Sequence, residues 1–166
     1  AQRVRAVGFT LIRGFQRLEA GSCPSLRIRC HGDYHLGQIL RAGGDFVLID
    51  FEGEPLRPLE ERRRKSSPLK DVAGMLRSFS YALHAGLEAA AARDLAGSSS
   101  ALPRLRAWGR AWQEWTSAAF LCGYLNAPKA QALLPADRGH LEALLDAFLL
   151  DKVFYELVYE LKYRPE

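Results

Sequence analysis

The chain is poor in the residues that build metal centres and disulfide frameworks. Its three cysteines, Cys23, Cys30 and Cys122, are odd in number and form no CxxC pair, and its four histidines share no zinc-type spacing with them. Neither zinc nor redox chemistry is indicated, and a reducing compartment fits best. No apolar run approaches the roughly 20 residues needed to cross a bilayer. The opening AQRVRAVGFT is not followed by a signal-peptide core and cleavage site, so the expectation is a soluble, cytoplasmic protein with no membrane partner. Positive charge is also scarce beyond balance: 23 basic residues face 19 acidic ones, for a net charge of +4. Much of the excess falls in the run Arg62, Arg63, Arg64, Lys65, which sits beside Glu60 and Glu61 and contains no aromatic residue. A nucleic-acid binder needs a basic stripe with interleaved aromatics, so none is expected as a partner.

What is there is enough apolar material for a core. With 48% hydrophobic residues over 166 positions, residues 1–166 read as one compact domain. Val4, Val7, Leu11, Phe15 and Leu18 recur at helical spacing, so the chain begins without Met inside a helix and reads as a piece of something longer. Short apolar runs at 39–42 and 46–49, separated by Gly43, Gly44 and Asp45, predict a β-hairpin that helices on either side should cover. Pro68 opens a helical pattern through Val72, Met75, Phe79 and Leu83 that ends before the loop 97–100. A second helix places Leu105, Trp108, Trp112, Trp115 and Ala119 on one face, predicted to be core. A third starts near Asp137 and runs toward Leu161. The fold class is therefore mainly α with one small hairpin.

Chemistry concentrates in CHGDYHLGQILRAGGDFVLIDFEGE, residues 30–54. Gln38 just precedes the first strand and Asp50 just follows the second. Paired strands lie about 4.8 Å apart, so the two side chains must be neighbours. Asp33 is in a loop five residues before Gln38. An amide oxygen beside a carboxylate suits Mg²⁺, and a second carboxylate free to accept a hydroxyl proton completes a phosphoryl-transfer site. Protein kinases have the same order of base, metal-binding amide and metal-binding Asp.

The runs HGDYHLGQ, LIDFEGEPLRPLEERRRKSSPLKDVAGMLRS and LDKVFYELVYELKYRP, about a third of the chain, resemble maltokinases. These are relatives of aminoglycoside phosphotransferases, and some are fused to trehalose synthases. The resemblance implies the carboxy-terminal lobe of a protein-kinase-like fold, with the hairpin carrying the metal site. It makes Asp33 the catalytic base, Gln38 and Asp50 the magnesium ligands and Glu52 a supporting carboxylate. The implied reaction transfers the γ-phosphoryl group of ATP to the anomeric hydroxyl of maltose, giving maltose 1-phosphate. Gln38 departs from the Asn of the wider phosphotransferase pattern but keeps the amide oxygen. Asp71 resembles the Asp that braces the catalytic loop; on sequence alone it is equally a first-turn carboxylate favoured by the helix dipole.

Lys152, Tyr155, Glu156 and Tyr159 share one helix face by their spacing, and tyrosine rings stack on sugars. By resemblance this is the acceptor-sugar face; the plain alternative is an amphipathic helix with packed tyrosines. His31 reads as a packed, hydrogen-bonded imidazole, and His35 as loop-orienting or structural. Glu54 reads as solvated. The Arg62–Lys65 run divides evenly between a solvated face and a role near phosphates. Neither a glycine-rich phosphate loop nor a strand lysine precedes Asp33, so an amino-terminal ATP-holding lobe is expected elsewhere in the parent. An attached or associated trehalose synthase is the further partner that the resemblance implies. Two rivals stand: a non-catalytic kinase-like module that binds carbohydrate or regulates an attached enzyme, and a phosphotransferase with another acceptor, such as an aminoglycoside or choline.

Overall fold

The computed structural model describes residues 25–92 and 101–163. The expected first helix, at 4–18, and the loop at 97–100 lie outside the described residues. After one turn of 3₁₀ helix, Leu36–Gln38, come strands β1, Ile39–Ala42, and β2, Asp45–Leu48. Five helices follow: α1, Leu59–Arg63; α2, Leu69–Ala92; α3, Ala101–Asn126; α4, Pro128–Gln131; and α5, Arg138–Tyr163. The fold among these residues is mostly helical with one small antiparallel sheet. The short helix α1 falls in a stretch whose polar composition gave no helical signal.

The hairpin pairs Ile39 with Leu48 and Ala42 with Asp45, leaving Gly43 and Gly44 as a two-residue turn. Gly43 adopts a φ of 64°, the left-handed geometry that such a turn needs and glycine supplies without strain. The expectation that helices cover the hairpin is not met. Every residue of β2 is exposed, and Phe46 and Leu40 stand 67% and 50% open. No helix among the described residues packs along either strand.

The core is centred on α2. Leu69, Val72, Ala73 and Met75 are buried to 1% exposure or less, and Phe79 and Leu83 extend the stripe at helical spacing. The buried Ser67 accepts from the Leu69 amide through its hydroxyl, satisfying one of the free N–H groups at the helix start. Helices α3 and α5 both pack on α2. On the α3 side, Phe79 meets Trp112 and Phe120 edge-on, with ring centroids 6.3 and 5.8 Å apart.

The tryptophan face predicted as core is instead open: Trp108 is 73% and Trp115 77% exposed, with Trp112 at 45%. The half-buried stripe of α3 is Gly109, Gln113, Thr116, Phe120 and Tyr124, one position further along. One residue rotates a helix face by about 100°. The cause is Gly109, where a Cβ would fall 2.1 Å from a Leu83 methyl, so α3 turns its glycine to α2 and its tryptophans aside.

A second glycine fixes the other side of α2. A Cβ at Gly74 would lie 2.6 Å from the Tyr34 carbonyl oxygen, so the backbone of the loop before the hairpin rests directly on the helix. Gly74→Ala should therefore destabilise the fold by about 1–3 kcal/mol. Gly86→Ala, in the same helix with nothing within 4 Å, should be neutral or stabilising by up to about 1 kcal/mol. Urea melts of the two variants against the parent test this contrast.

Candidate active site

One face of α2 cradles the loop 31–36. Asp71, in the first turn, accepts from the backbone amides of His31 at 2.7 Å and Gly32 at 2.9 Å. Gly74, one turn on, receives the Tyr34 carbonyl. Ser78, a further turn on, accepts the Leu36 amide through its hydroxyl at 3.0 Å. Positions 71, 74 and 78 share one helix face by their i, i+3, i+7 spacing. The two alternatives left open for Asp71 are thus compatible: it is a first-turn carboxylate, and its oxygens take backbone amides of the loop. Burial and the nearby Asp71 charge push the Cys30 thiol up to about 11, so it stays protonated and unreactive.

His31 ties this loop to the hairpin. Its ring is buried, and Nε2 lies 2.7 Å from the Ile49 carbonyl oxygen, which can only accept. Nε2 therefore carries the proton, and Nδ1 accepts from the Asp33 amide at 3.4 Å. This agrees with its reading as a packed, hydrogen-bonded imidazole. His35 caps the 3₁₀ turn, its Nδ1 accepting from the Gly37 amide at 3.1 Å, while Nε2 lies 3.8 Å from Asp33 Oδ2.

At the base of the hairpin the Ile49 amide donates to the Gln38 carbonyl, and the side chains of Gln38 and Asp50 meet with Nε2 to Oδ2 at 2.9 Å. Asp50 has a φ of 62°, a left-handed conformation rare outside glycine and tolerated best by Asp and Asn. Such strain costs about 1–3 kcal/mol and persists where the surroundings over-determine it. Among the described residues no group of three or more His, Cys, Asp or Glu side chains is arranged to hold a metal. The Gln38 and Asp50 pair fits Mg²⁺ in another way, because that ion takes one or two protein oxygens and completes its shell with water and phosphate. Rotation of the amide exchanges its donor for its oxygen.

A pocket of about 490 Å³ opens between the loop, α2 and α5. Asp33, Lys152, Tyr155, Glu156 and Tyr159 all line it, together with His35. The structure thus brings the expected base and the expected sugar face to one cavity. Gln38 and Asp50 meet each other but do not line it, and Glu52 is exposed, its backbone carbonyl accepting from Arg62 at 3.3 Å. Arg63, Arg64 and Lys65 are exposed, whereas Arg62 is half-buried against Gly53.

Glu54 overturns its reading as a solvated residue. It is 3% exposed and pairs with Lys152 and, at 2.6 Å, with Arg57. Lys152 Nζ also reaches Asp33 Oδ1 at 3.3 Å. Burial alone lowers the Lys152 pKa, but the Glu54 hydrogen bond and the charges of Glu54 and Asp33 outweigh it and raise the value, so the group remains an ammonium. Tyr155 stays a phenol, its pKa raised by burial and by Glu54. Lys152 and Arg57 lie 5.4 and 5.2 Å from its ring centroid. Arg77 holds Glu156 with contacts of 2.6 and 3.1 Å. Sequence reading missed Glu54, Arg57, Arg77, Gly74 and Ser78. For the last two the helical register counted from Asp71 was a usable signal.

No family model matches the chain. Over 51 residues it is 49% identical to a glucosamine kinase of Mycolicibacterium smegmatis, and over 54 residues 43% identical to one of Streptacidiphilus jiangxiensis. The chain's relatives are glucosamine kinases. These alignments cover 31% and 32% of this chain but 13% and 12% of the relatives. A solved glucosamine kinase, crystal form B, superposes on 99% of the chain with a TM-score of 0.67 at 25% identity. A glucosamine kinase in complex with glucosamine, ADP and inorganic phosphate gives 0.62 at 22% identity, also over 99% of the chain. The chain spans 36% and 38% of those two structures, well under half of a glucosamine kinase.

The loop clamp makes a direct prediction. Asp71→Asn leaves one acceptor oxygen where two amides need partners, so it should cost about 1–3 kcal/mol, while Ser78→Ala should cost about 0.5–1.5 kcal/mol. Chemical denaturation of both variants checks the order; equal and negligible losses would show that the loop does not depend on α2.

Proposed function

We propose that this chain is the catalytic and acceptor-binding lobe of an ATP-dependent sugar kinase, with the nucleotide-holding lobe elsewhere in the full-length, cytoplasmic protein. The observation that carries the reading is the shared pocket of Asp33 and the α5 face of Lys152, Tyr155, Glu156 and Tyr159. Asp33 acts as base, accepting the proton of a sugar hydroxyl as that oxygen takes the γ-phosphoryl group. Oδ1 faces Lys152, while Oδ2, 3.8 Å from His35 Nε2 and beyond a hydrogen bond to it, takes the hydroxyl. Gln38 and Asp50 would hold magnesium, which would supply positive charge to offset that of the transferring group. The held left-handed backbone of Asp50 argues for a working ligand rather than a relic, which disfavours a non-catalytic module.

For the acceptor we propose an amino sugar, glucosamine, in place of the maltose implied by resemblance to maltokinases. The relatives are glucosamine kinases, and nothing in them supports maltose or an attached trehalose synthase. The pocket is mixed in charge: Asp33, Glu156 and Glu160 line it with His35, Arg77 and Lys152, so the choice of amino sugar rests on the relatives.

The full-length protein should release ADP in the presence of glucosamine and Mg-ATP, and far more slowly with maltose. Asp33→Asn should lower kcat by about 10²- to 10⁴-fold with little change in sugar KM. The isolated 166-residue chain should melt cooperatively yet release no ADP, because positioning of the triphosphate supplies much of the rate in phosphoryl transfer. Maltose preferred over glucosamine would return the acceptor to the disaccharide.

Asp50→Ala should abolish magnesium-dependent ATP binding in the full-length protein, since a neutral amide alone does not balance a divalent ion. Calorimetry with Mg-ATP provides the check, and unchanged affinity would move the metal site elsewhere.

A further inference from the structure

Glu54 is a buried carboxylate, and it holds cations from two segments. Arg57 reaches it at 2.6 Å from the turn before α1, and Lys152 reaches it from α5. Arg57 is itself anchored to Glu61 of α1 and, at 2.9 Å, to Asp151 of α5. Its guanidinium thus meets three carboxylates, and it holds Glu54 from a second direction. Lys152 is the other end of the relay, with Asp33 Oδ1 its second partner at 3.3 Å. Removing one partner of a buried pair leaves an uncompensated charge, whereas an apolar replacement of the whole set is often no less stable. The network reaches the pocket through Lys152, which lines it and contacts the reacting carboxylate.

We infer that Glu54 and Arg57 are positioning residues that hold the Lys152 ammonium on Asp33 Oδ1 and so orient Oδ2 toward the acceptor hydroxyl. The assignment deepens the sugar-kinase reading and rests on it for the role of Asp33. Lys152 then serves the base as much as the sugar, and its contact with Glu54 keeps it in place when the hydroxyl enters. The raised pKa of Lys152 agrees, because burial alone would favour the neutral amine.

The test is a mutant cycle in the full-length protein, read in two ways. Thermal melts of Asp33→Asn, Lys152→Met and the double variant give the coupling between these side chains as the non-additive part of the Tm change. Repeating the cycle in a Glu54→Gln background should reduce that coupling by more than half. If Glu54→Gln does not fold, Glu54→Asp, which keeps the charge one methylene short, takes its place. Coupling that is unchanged without Glu54 would overturn the proposal, whether or not the protein turns over any sugar. In turnover, Glu54→Gln should lower kcat by about tenfold or more with sugar and nucleotide KM little changed, and add almost nothing to the loss in Lys152→Met. Additive losses in kcat would show that Glu54 does not act through Lys152 and would also overturn it. An absence of turnover in the unmodified protein would sink the sugar-kinase reading, and the melt cycle would still decide whether Glu54 places Lys152.

Discussion

Two oxygens of one carboxylate set the frame for everything else. Asp71 takes the amides of His31 and Gly32 from its place in the first turn of the most buried helix, and this fixes the loop that presents Asp33. Hydrogen bonds to a charged acceptor are worth about 1.5–3 kcal/mol each, more than neutral ones. From that anchor the loop is carried onward by contacts that would fail if it shifted: the Tyr34 carbonyl on Gly74, the Leu36 amide on Ser78, and the His31 ring on Ile49. The last of these passes the constraint to the hairpin, because Ile49 immediately precedes Asp50.

The pocket is built by two kinds of wall. The loop contributes Asp33 and His35 on a backbone held to α2 by short polar side chains, and α2 adds Arg77, Ser78 and Tyr81. Helix α5 contributes long side chains that meet charges: Lys152 meets Glu54, Glu156 meets Arg77, and the Tyr155 ring lies near Arg57 and Lys152. Such desolvated pairs hold geometry at a cost in solvation, so their concentration around one cavity speaks for a requirement on position.

Much of this was legible in the sequence. The hairpin, the helices from 69 and 138 onward and the neighbourhood of Gln38 and Asp50 follow from alternation, turn residues and strand spacing. The face of α5 follows from helical periodicity, which is why Lys152, Tyr155, Glu156 and Tyr159 were found together. What escaped was of two kinds. Glu54 looks like any loop carboxylate until its partners Arg57 and Lys152 are known, and the second is 98 residues away. The tryptophans of α3 failed for another reason: periodicity identifies an apolar stripe, but the helix rotates to bring its smallest residue, Gly109, against Leu83. The closeness of approach between backbones outweighed the size of the side chains on offer.

The glycine beneath the loop has a consequence for how such a pocket can diversify. At Gly74, which itself lines the pocket, no side chain fits against the Tyr34 carbonyl, so a substitution there would push on the loop that carries Asp33. The opposite wall is separable in part: Glu156 on α5 can be exchanged together with Arg77, the charge that steadies it, whereas Lys152 is tied to Asp33 as well as to Glu54. New acceptors are therefore most readily reached by swapping pairs, Glu156 with Arg77 for example, and the base and its loop can stay as an unaltered module while preference drifts across the cleft.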